Sequence, residues 1–257
     1  MKPSGTTQEV TGSGDSRLVV DDLTVAYRNG SIAISGLSLS VGRGETVVLL
    51  GPNGAGKTSA LRGIAGFLRR EAGYLASGRV QLADVDLTRR TPLRRARLGL
   101  VLVPEEDKIF RDLTVQENLE LGGMRSPRAI QQRQRDVALD IFSDLRAHLS
   151  RKAGYLSGGQ RQMLAIASAL CADPKVMLID APTIGLAPDR VEAMIECLRV
   201  LAGQGLPIVI AEENATAAIA IATSVVLMEA GQVRRAGSPD LLAGADISRA
   251  FLGGADQ

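Results

Sequence analysis

The chain has 257 residues, 45% of them apolar and 23% charged, so it can bury the core of one large domain, with or without an inserted subdomain, and is not disordered as a whole. Its net charge is only +2, and with no Trp, 3 Tyr and 4 Phe it has neither the bulk charge nor the stacking surface that would argue for nucleic acid. Two cysteines, Cys171 and Cys197, and a single histidine, His148, exclude a disulfide framework, a zinc ribbon and a multi-histidine metal centre.

Residues 1–16 are rich in Gly, Ser and Thr with no apolar centre, which reads as a disordered tail and not as a signal or transit peptide. Residues 18–25 are apolar and β-favouring. Tyr27, a turn at Asn29-Gly30, and the alternation of Ile32, Ile34, Leu37 and Leu39 predict strands joined by a hairpin. Residues 47–50 form a short apolar run that ends at Gly51, and residues 59–68 then carry apolar positions at helical spacing, capped by Arg69-Arg70. Four further short apolar runs, at 98–103, 176–179, 208–211 and 225–228, suit strands buried on both faces of a parallel sheet. Between the first two of them, residues 115–148 are polar with helical periodicity and predict a helical insertion, set at about 109–154 within a domain spanning 17–254. The cluster Arg89, Arg90, Arg94, Arg95 and Arg97 reads as a solvated face, Cys171 as core and His148 as a surface or helix-end residue. The apolar stretch 217–228 is broken by Thr223 and Ser224 and falls short of the ~18 residues that span a bilayer. A cytoplasmic chain that does any membrane work through a partner is expected.

Gly51-Pro52-Asn53-Gly54-Ala55-Gly56-Lys57-Thr58 fits G-x-x-x-x-G-K-[ST] between a predicted strand and a helix that takes in Ser59. The glycines allow backbone N–H groups to turn inward on phosphate oxygens, and the helix directs its positive end at them. Lys57 adds a point charge, and Thr58 has the hydroxyl for Mg²⁺. Residues 176–180 end an apolar strand in Asp180, the rigid carboxylate that a metal beside such a loop needs. Leu156-Ser157-Gly158-Gly159-Gln160 precedes another predicted helix, starting near Arg161, whose amino end suits a γ-phosphate.

Phosphate loop, LSGGQ and apolar strand with Asp, in this order, resemble the ATP-binding subunits of ABC transporters. The resemblance covers nearly the whole chain. Val103-Pro104-Glu105, Ile109-Phe110, Leu113-Thr114-Val115-Gln116-Glu117-Asn118-Leu119, Ile184-Gly185-Leu186-Ala187-Pro188 and the ending Arg249-Ala250-Phe251-Leu252-Gly253 are similar to the branch that takes up branched-chain and other hydrophobic amino acids. The resemblance implies an α/β P-loop NTPase core with a mostly parallel sheet, an amino-terminal antiparallel β portion and an inserted helical subdomain. It implies MgATP as the cofactor, held by residues 51–59 with Tyr27 stacked on adenine, and Thr58, Asp180 and Glu105 on the metal side. It also implies a dimer in which LSGGQ meets the nucleotide of a second ATPase subunit. Two transmembrane permease subunits on the inner face of the cell membrane and a solute-binding protein would complete the transporter.

Glu105 is a family variant at the glutamine-loop position and Ala187 a common one in this branch at the D-loop position, and two other residues depart more sharply from the family pattern. Ala181 stands where the family has the glutamate that orients or deprotonates the attacking water, and Glu213 stands at the switch-histidine position, where a carboxylate repels phosphate oxygens unless protonated. Losing a positioned base typically costs about 10²–10⁴-fold. A degenerate site that binds MgATP and turns it over slowly, in a heterodimer with an active ATPase, is therefore expected. Four alternatives stand beside it: Glu212 or Glu213 serving as base in a self-sufficient homodimer for urea or amide uptake, a decaying homodimer, a purely structural ATP-binding partner that never hydrolyses, and a soluble non-transport regulatory ATPase.

Overall fold

The computed structural model describes residues 17–68, 72–106 and 108–242. The tail expected at 1–16, the pair Arg69-Arg70 and the ending at 249–253 lie outside the described residues.

Two long strands open the fold, β1 (Leu18–Tyr27) and β2 (Ile32–Val41), paired antiparallel through the Asn29-Gly30 turn. Gly30 takes φ 89, and the Asn29 side chain accepts from the Ser31 amide at 3.0 Å, the local bonding that favours Asn-Gly in tight turns. Next come β3 (Thr46–Leu50), α1 (Lys57–Ala65), β4 (Gly73–Leu82), β5 (Val85–Asp86), α2 (Pro92–Arg97) and β6 (Leu100–Val103). A helical stretch follows: α3 (Val115–Gly123), α4 (Arg128–Ile141), 3₁₀ turns at Ser143–His148 and Ala153–Tyr155, and α5 (Gly158–Leu170). The chain then alternates β7 (Val176–Asp180), α6 (Pro188–Gly203), β8 (Ile208–Glu212), α7 (Ala215–Ile221), β9 (Ser224–Glu229) and β10 (Gln232–Gly237).

The ten strands form one sheet in the order β5-β4-β1-β2-β10-β9-β3-β8-β7-β6. From β9 to β6 every pairing is parallel; β5, β4, β1 and β2 form an antiparallel ribbon, and β10 turns back on β9. The short apolar runs are the parallel strands because their side chains alternate between two cores. Val48 and Leu50 of β3 pack with α3 to α7, while Val47 and Leu49 pack with α1 and the antiparallel ribbon. Period-two alternation leaves no solvent face, so each run must be apolar throughout.

Three sequence expectations shift. Helix α1 stops at Ala65, not Leu68, because Gly66 takes a left-handed turn (φ 83) and the Phe67 amide donates back to the Arg62 carbonyl at 2.8 Å. Helix α5 begins at Gly158, not near Arg161, since Ser157 is its N-cap and Gln160 completes a reciprocal capping box. Arg95 is no part of a solvated face: it is 2% exposed and donates to the carbonyls of Gly63 (2.9 Å), Ile64 (2.5 Å), Thr88 (2.9 Å) and Arg90 (3.0 Å). Its guanidinium satisfies the last turn of α1, and burial lowers its pKa to about 10, which leaves it charged at neutral pH. Cys171 is buried at the end of α5, and burial pushes its thiol up to about 12.

Candidate functional site

The carboxyl ends of β3, β7 and β8 lie side by side, with Leu50 opposite Glu212 and Asp180 opposite Ala211. Open α/β sheets collect their functional residues beyond such an edge. Gly51 leaves β3 so tightly that a Cβ there would stand 2.2 Å from the Met228 carbonyl oxygen. Gly56, at φ 97, passes so close to β2 that a Cβ would meet the Ala33 carbonyl at 2.4 Å. Close approach as much as backbone freedom demands glycine at both. As N-cap of α1, Gly56 offers no side chain to the first amides, which stay available to a ligand.

A cavity of about 230 Å³ opens over this edge, lined by Asn53, Gly54, Gly56, Lys57, Thr58, Ser59, Glu105, Asp180, Ala181 and Glu213. Its outer wall, which sequence reasoning did not identify, is Ile32 and Ala33 of β2 with the Ala230-Gly231 turn between β9 and β10. The only hint in the sequence is a turn dipeptide after an apolar run.

Lys57 is 8% exposed and donates to the carbonyls of Gly51 (2.8 Å) and Pro52 (2.9 Å), with the Glu213 carboxylate 3.4 Å away. Glu213 also accepts from the Asn53 side-chain amide nitrogen at 3.1 Å, so its carboxylate ties Lys57 to the loop's tip. Thr58 donates its hydroxyl to Asp180 at 3.2 Å. Burial pushes Asp180 up to about 6; the Thr58 hydrogen bond opposes this, the Glu105 charge adds to it, and Arg62 and Lys57 oppose it. A hydroxyl and two carboxylates around one opening are the hard oxygen donors a Mg²⁺ ion takes, and a cation there would relieve the destabilised charge on Asp180. Beside them Lys108 is half-buried and bonded to Gln162; burial lowers its pKa, while Glu105 and Asp180 hold it up.

Ala181 also faces the cavity, at φ 47, a left-handed conformation that costs a non-glycine residue about 1–2 kcal/mol. Its methyl group has no donor or acceptor for a water molecule. Glu212, a candidate base in the sequence, is 2% exposed and does not line the cavity. One of its oxygens accepts from the Thr183 amide (3.0 Å) and hydroxyl (2.5 Å), the other from the amides of Glu213 (2.8 Å) and Asn214 (3.1 Å). It braces the loop after β7 against the loop after β8, and all four donors it accepts from are protein groups.

The structure does not bring every expected residue to this cavity. Tyr27 is half-buried with its hydroxyl 2.8 Å from the Ser59 hydroxyl and its ring beside Gly73, and does not line the cavity. The segment 156–160 is also absent from the lining; Leu156 and Gly159 are buried, whereas Ser157 and Gly158 face solvent. Within this segment Gln160 accepts from the Ser157 amide at 3.0 Å and lies 3.0 Å from His148 Nε2, which gives the lone histidine a helix-end role.

The family described as ABC transporter matches residues 34–184. The high-affinity branched-chain amino acid transport ATP-binding protein BraG of Pseudomonas aeruginosa is 34% identical over 234 residues, 91% of this chain and 98% of that protein. The lipopolysaccharide export system ATP-binding protein LptB of Escherichia coli is also 34% identical, over 92% of this chain and 97% of its own length. In fold the chain is similar to a nucleotide-free ATP-binding cassette from an ABC transporter, with TM-score 0.80 and 24% identity over 93% of this chain and 100% of that one.

Proposed function

This chain belongs to the ABC transporter family as an ATP-binding subunit, and from that premise we propose that it serves an importer of branched-chain or other hydrophobic amino acids and that its own site holds MgATP but turns it over slowly. The observation that carries the slow turnover is Ala181, a methyl group on the cavity wall where a base is required, with Glu212 committed to four donors and unable to replace it. The alanine at 181 removes no group that holds phosphate or metal. The amides of Asn53, Gly54 and Gly56 to Thr58 and the Lys57 ammonium donate to phosphate oxygens, while Thr58, Asp180 and Glu105 supply the metal side. Bound Mg²⁺ supplies neutralisation of phosphate charge.

The segment Leu156-Ser157-Gly158-Gly159-Gln160 is intact and partly exposed, which suits it to complete the site of a second ATPase subunit that has its own catalytic glutamate. The working assembly is then a heterodimer of ATPases on the inner face of the membrane, seated on two permease subunits that receive solute from a binding protein. No described helix is long and apolar enough to cross a membrane, so contact with the bilayer passes through the permeases. ATP acts as the ligand that selects the closed dimer. BraG and LptB match at equal identity, so the solute assignment rests on the stretch from Val103 to Leu119 and not on overall likeness.

The test is steady-state ATPase activity of the purified chain, alone and mixed with the ATPase encoded beside it, alongside an Ala181→Glu variant and direct ATP binding. Tight binding with almost no turnover alone, and a gain of about 10²-fold or more from Ala181→Glu or from the partner, is the expected result. Turnover of the unmodified chain alone at about 1 s⁻¹ or faster would refute the degenerate site. Uptake of leucine by cells with and without this chain tests the solute.

A further inference from the structure

We propose that Glu213 makes this site selective for a nucleoside diphosphate over a triphosphate, because its carboxylate occupies the side of Lys57 that a terminal phosphate would take. The inference rests on reading the cavity as a nucleotide site, and adds to it which nucleotide the site prefers.

An ammonium group has three hydrogens to give. Here Lys57 directs them at Gly51 O (2.8 Å), Pro52 O (2.9 Å) and the Glu213 carboxylate (3.4 Å), and at 8% exposure it has little water around it. The other Glu213 oxygen accepts from the Asn53 side chain at 3.1 Å. One carboxylate thus spans the lysine and the loop's tip. In a loop of this kind the backbone amides cradle the inner phosphates and the lysine reaches the β and γ positions. The Gly51 and Ala55 amides donate to the Glu212 and Pro52 carbonyls (3.3 and 3.2 Å), while at the loop's tip Gly54, at φ 79, has no atom within 4 Å of where a Cβ would lie, so a phosphate has room to approach. The lysine's outer side is the part already occupied by an anion.

The position of that anion is set by the chain around it. Glu213 follows β8 directly, and its own amide and that of Asn214 both donate to the buried Glu212 carboxylate, which is held in turn by Thr183. Asn214 then caps α7. The backbone that bears Glu213 is therefore fixed at both sides, and only the side chain can swing away. With 37% exposure it can do so into water, which makes the discrimination graded and not absolute. For the β-phosphate of a diphosphate Lys57 has only to turn from a loop carbonyl, and the Lys57–Glu213 pair is kept. A triphosphate brings one more negative charge to the same place, must displace the carboxylate from Lys57 and Asn53, and leaves it facing the γ-oxygens.

The experiment is equilibrium binding of ADP and ATP, each with Mg²⁺, to the full chain, with the β,γ-imido analogue of ATP as a check against turnover. The unmodified chain should bind ADP about tenfold tighter than ATP or more, and Glu213→Gln, which keeps the shape and removes the charge, should bring the two affinities within about threefold. Equal affinities in the unmodified chain, or a ratio that Glu213→Gln leaves unchanged, would overturn the inference and leave the nucleotide site standing. If neither nucleotide binds, or if Lys57→Ala binds both as before, the nucleotide-site reading falls as well. Should Glu213→Gln fail to fold, the ratio in the unmodified chain and in Glu213→Ala decides.

Discussion

Replacing Asp180 by Asn should stabilise the protein when no metal or nucleotide is present. Asp180 ends β7 at 3% exposure, and its pKa is raised from 3.8 to about 6, chiefly by burial, with the neighbouring Glu105 charge adding to the rise against the Thr58 hydroxyl, Arg62 and Lys57. The folded chain therefore holds this proton more tightly than the unfolded chain does. Below the unfolded value the buried acid costs nothing; as pH climbs from about 4 to 6 the penalty of burying the charge accumulates, and above 6 it is constant. A tenfold change in proton affinity is about 1.36 kcal/mol, so the full penalty is on the order of 3 kcal/mol. Asn keeps an oxygen to accept from Thr58 and carries no charge. Urea denaturation in a chelating buffer should find Asp180→Asn more stable by about 1–3 kcal/mol at pH 8, with the gain falling to about half at pH 5. Added Mg²⁺ and nucleotide should reverse the order, because only the carboxylate gains from the cation. A variant less stable at pH 8, or a gain of the same size at every pH, would refute the reasoning.

Arg95→Met should lower stability by about 3 kcal/mol, because four carbonyls around the end of α1 lose a buried charged donor; thermal unfolding measures it, and a loss within about 0.5 kcal/mol would mean that Arg95 lies on a solvated face after all. Glu212→Gln should cost about 2 kcal/mol, since an amide NH₂ would face amide or hydroxyl donors on one side. Hydrogen exchange should then quicken at the Glu213 and Asn214 amides, and unchanged exchange there would show that the brace is not what holds the loop.

The local rules carried far in this chain. A phosphate loop is legible because its backbone needs glycine at Gly51 and Gly56 and a cation at Lys57, and a helix after Leu156–Gln160 is legible too, although the Ser157–Gln160 capping box starts it at Gly158 and not near Arg161. The parallel strands were visible as unbroken apolar runs, since burial on both faces removes the polar alternation. That position 181 holds a methyl group was equally plain, for the identity of a residue is a property of one position. The roles of Arg95, Glu212 and Glu213 were decided by tertiary structure alone. An arginine in a run of five is solvated or buried depending on whether another helix ends beside it, and Gly63 and Ile64 are about thirty positions away. Adjacent glutamates at and just after the end of β8 look interchangeable in sequence, yet one accepts from the buried Thr183 loop and the other from the phosphate loop, because the chain turns at the strand end between them. Composition and spacing set the elements, because their causes lie within a turn or two of chain. Which charge meets which partner depends on contacts across the sheet edge, and only the folded chain brings those together.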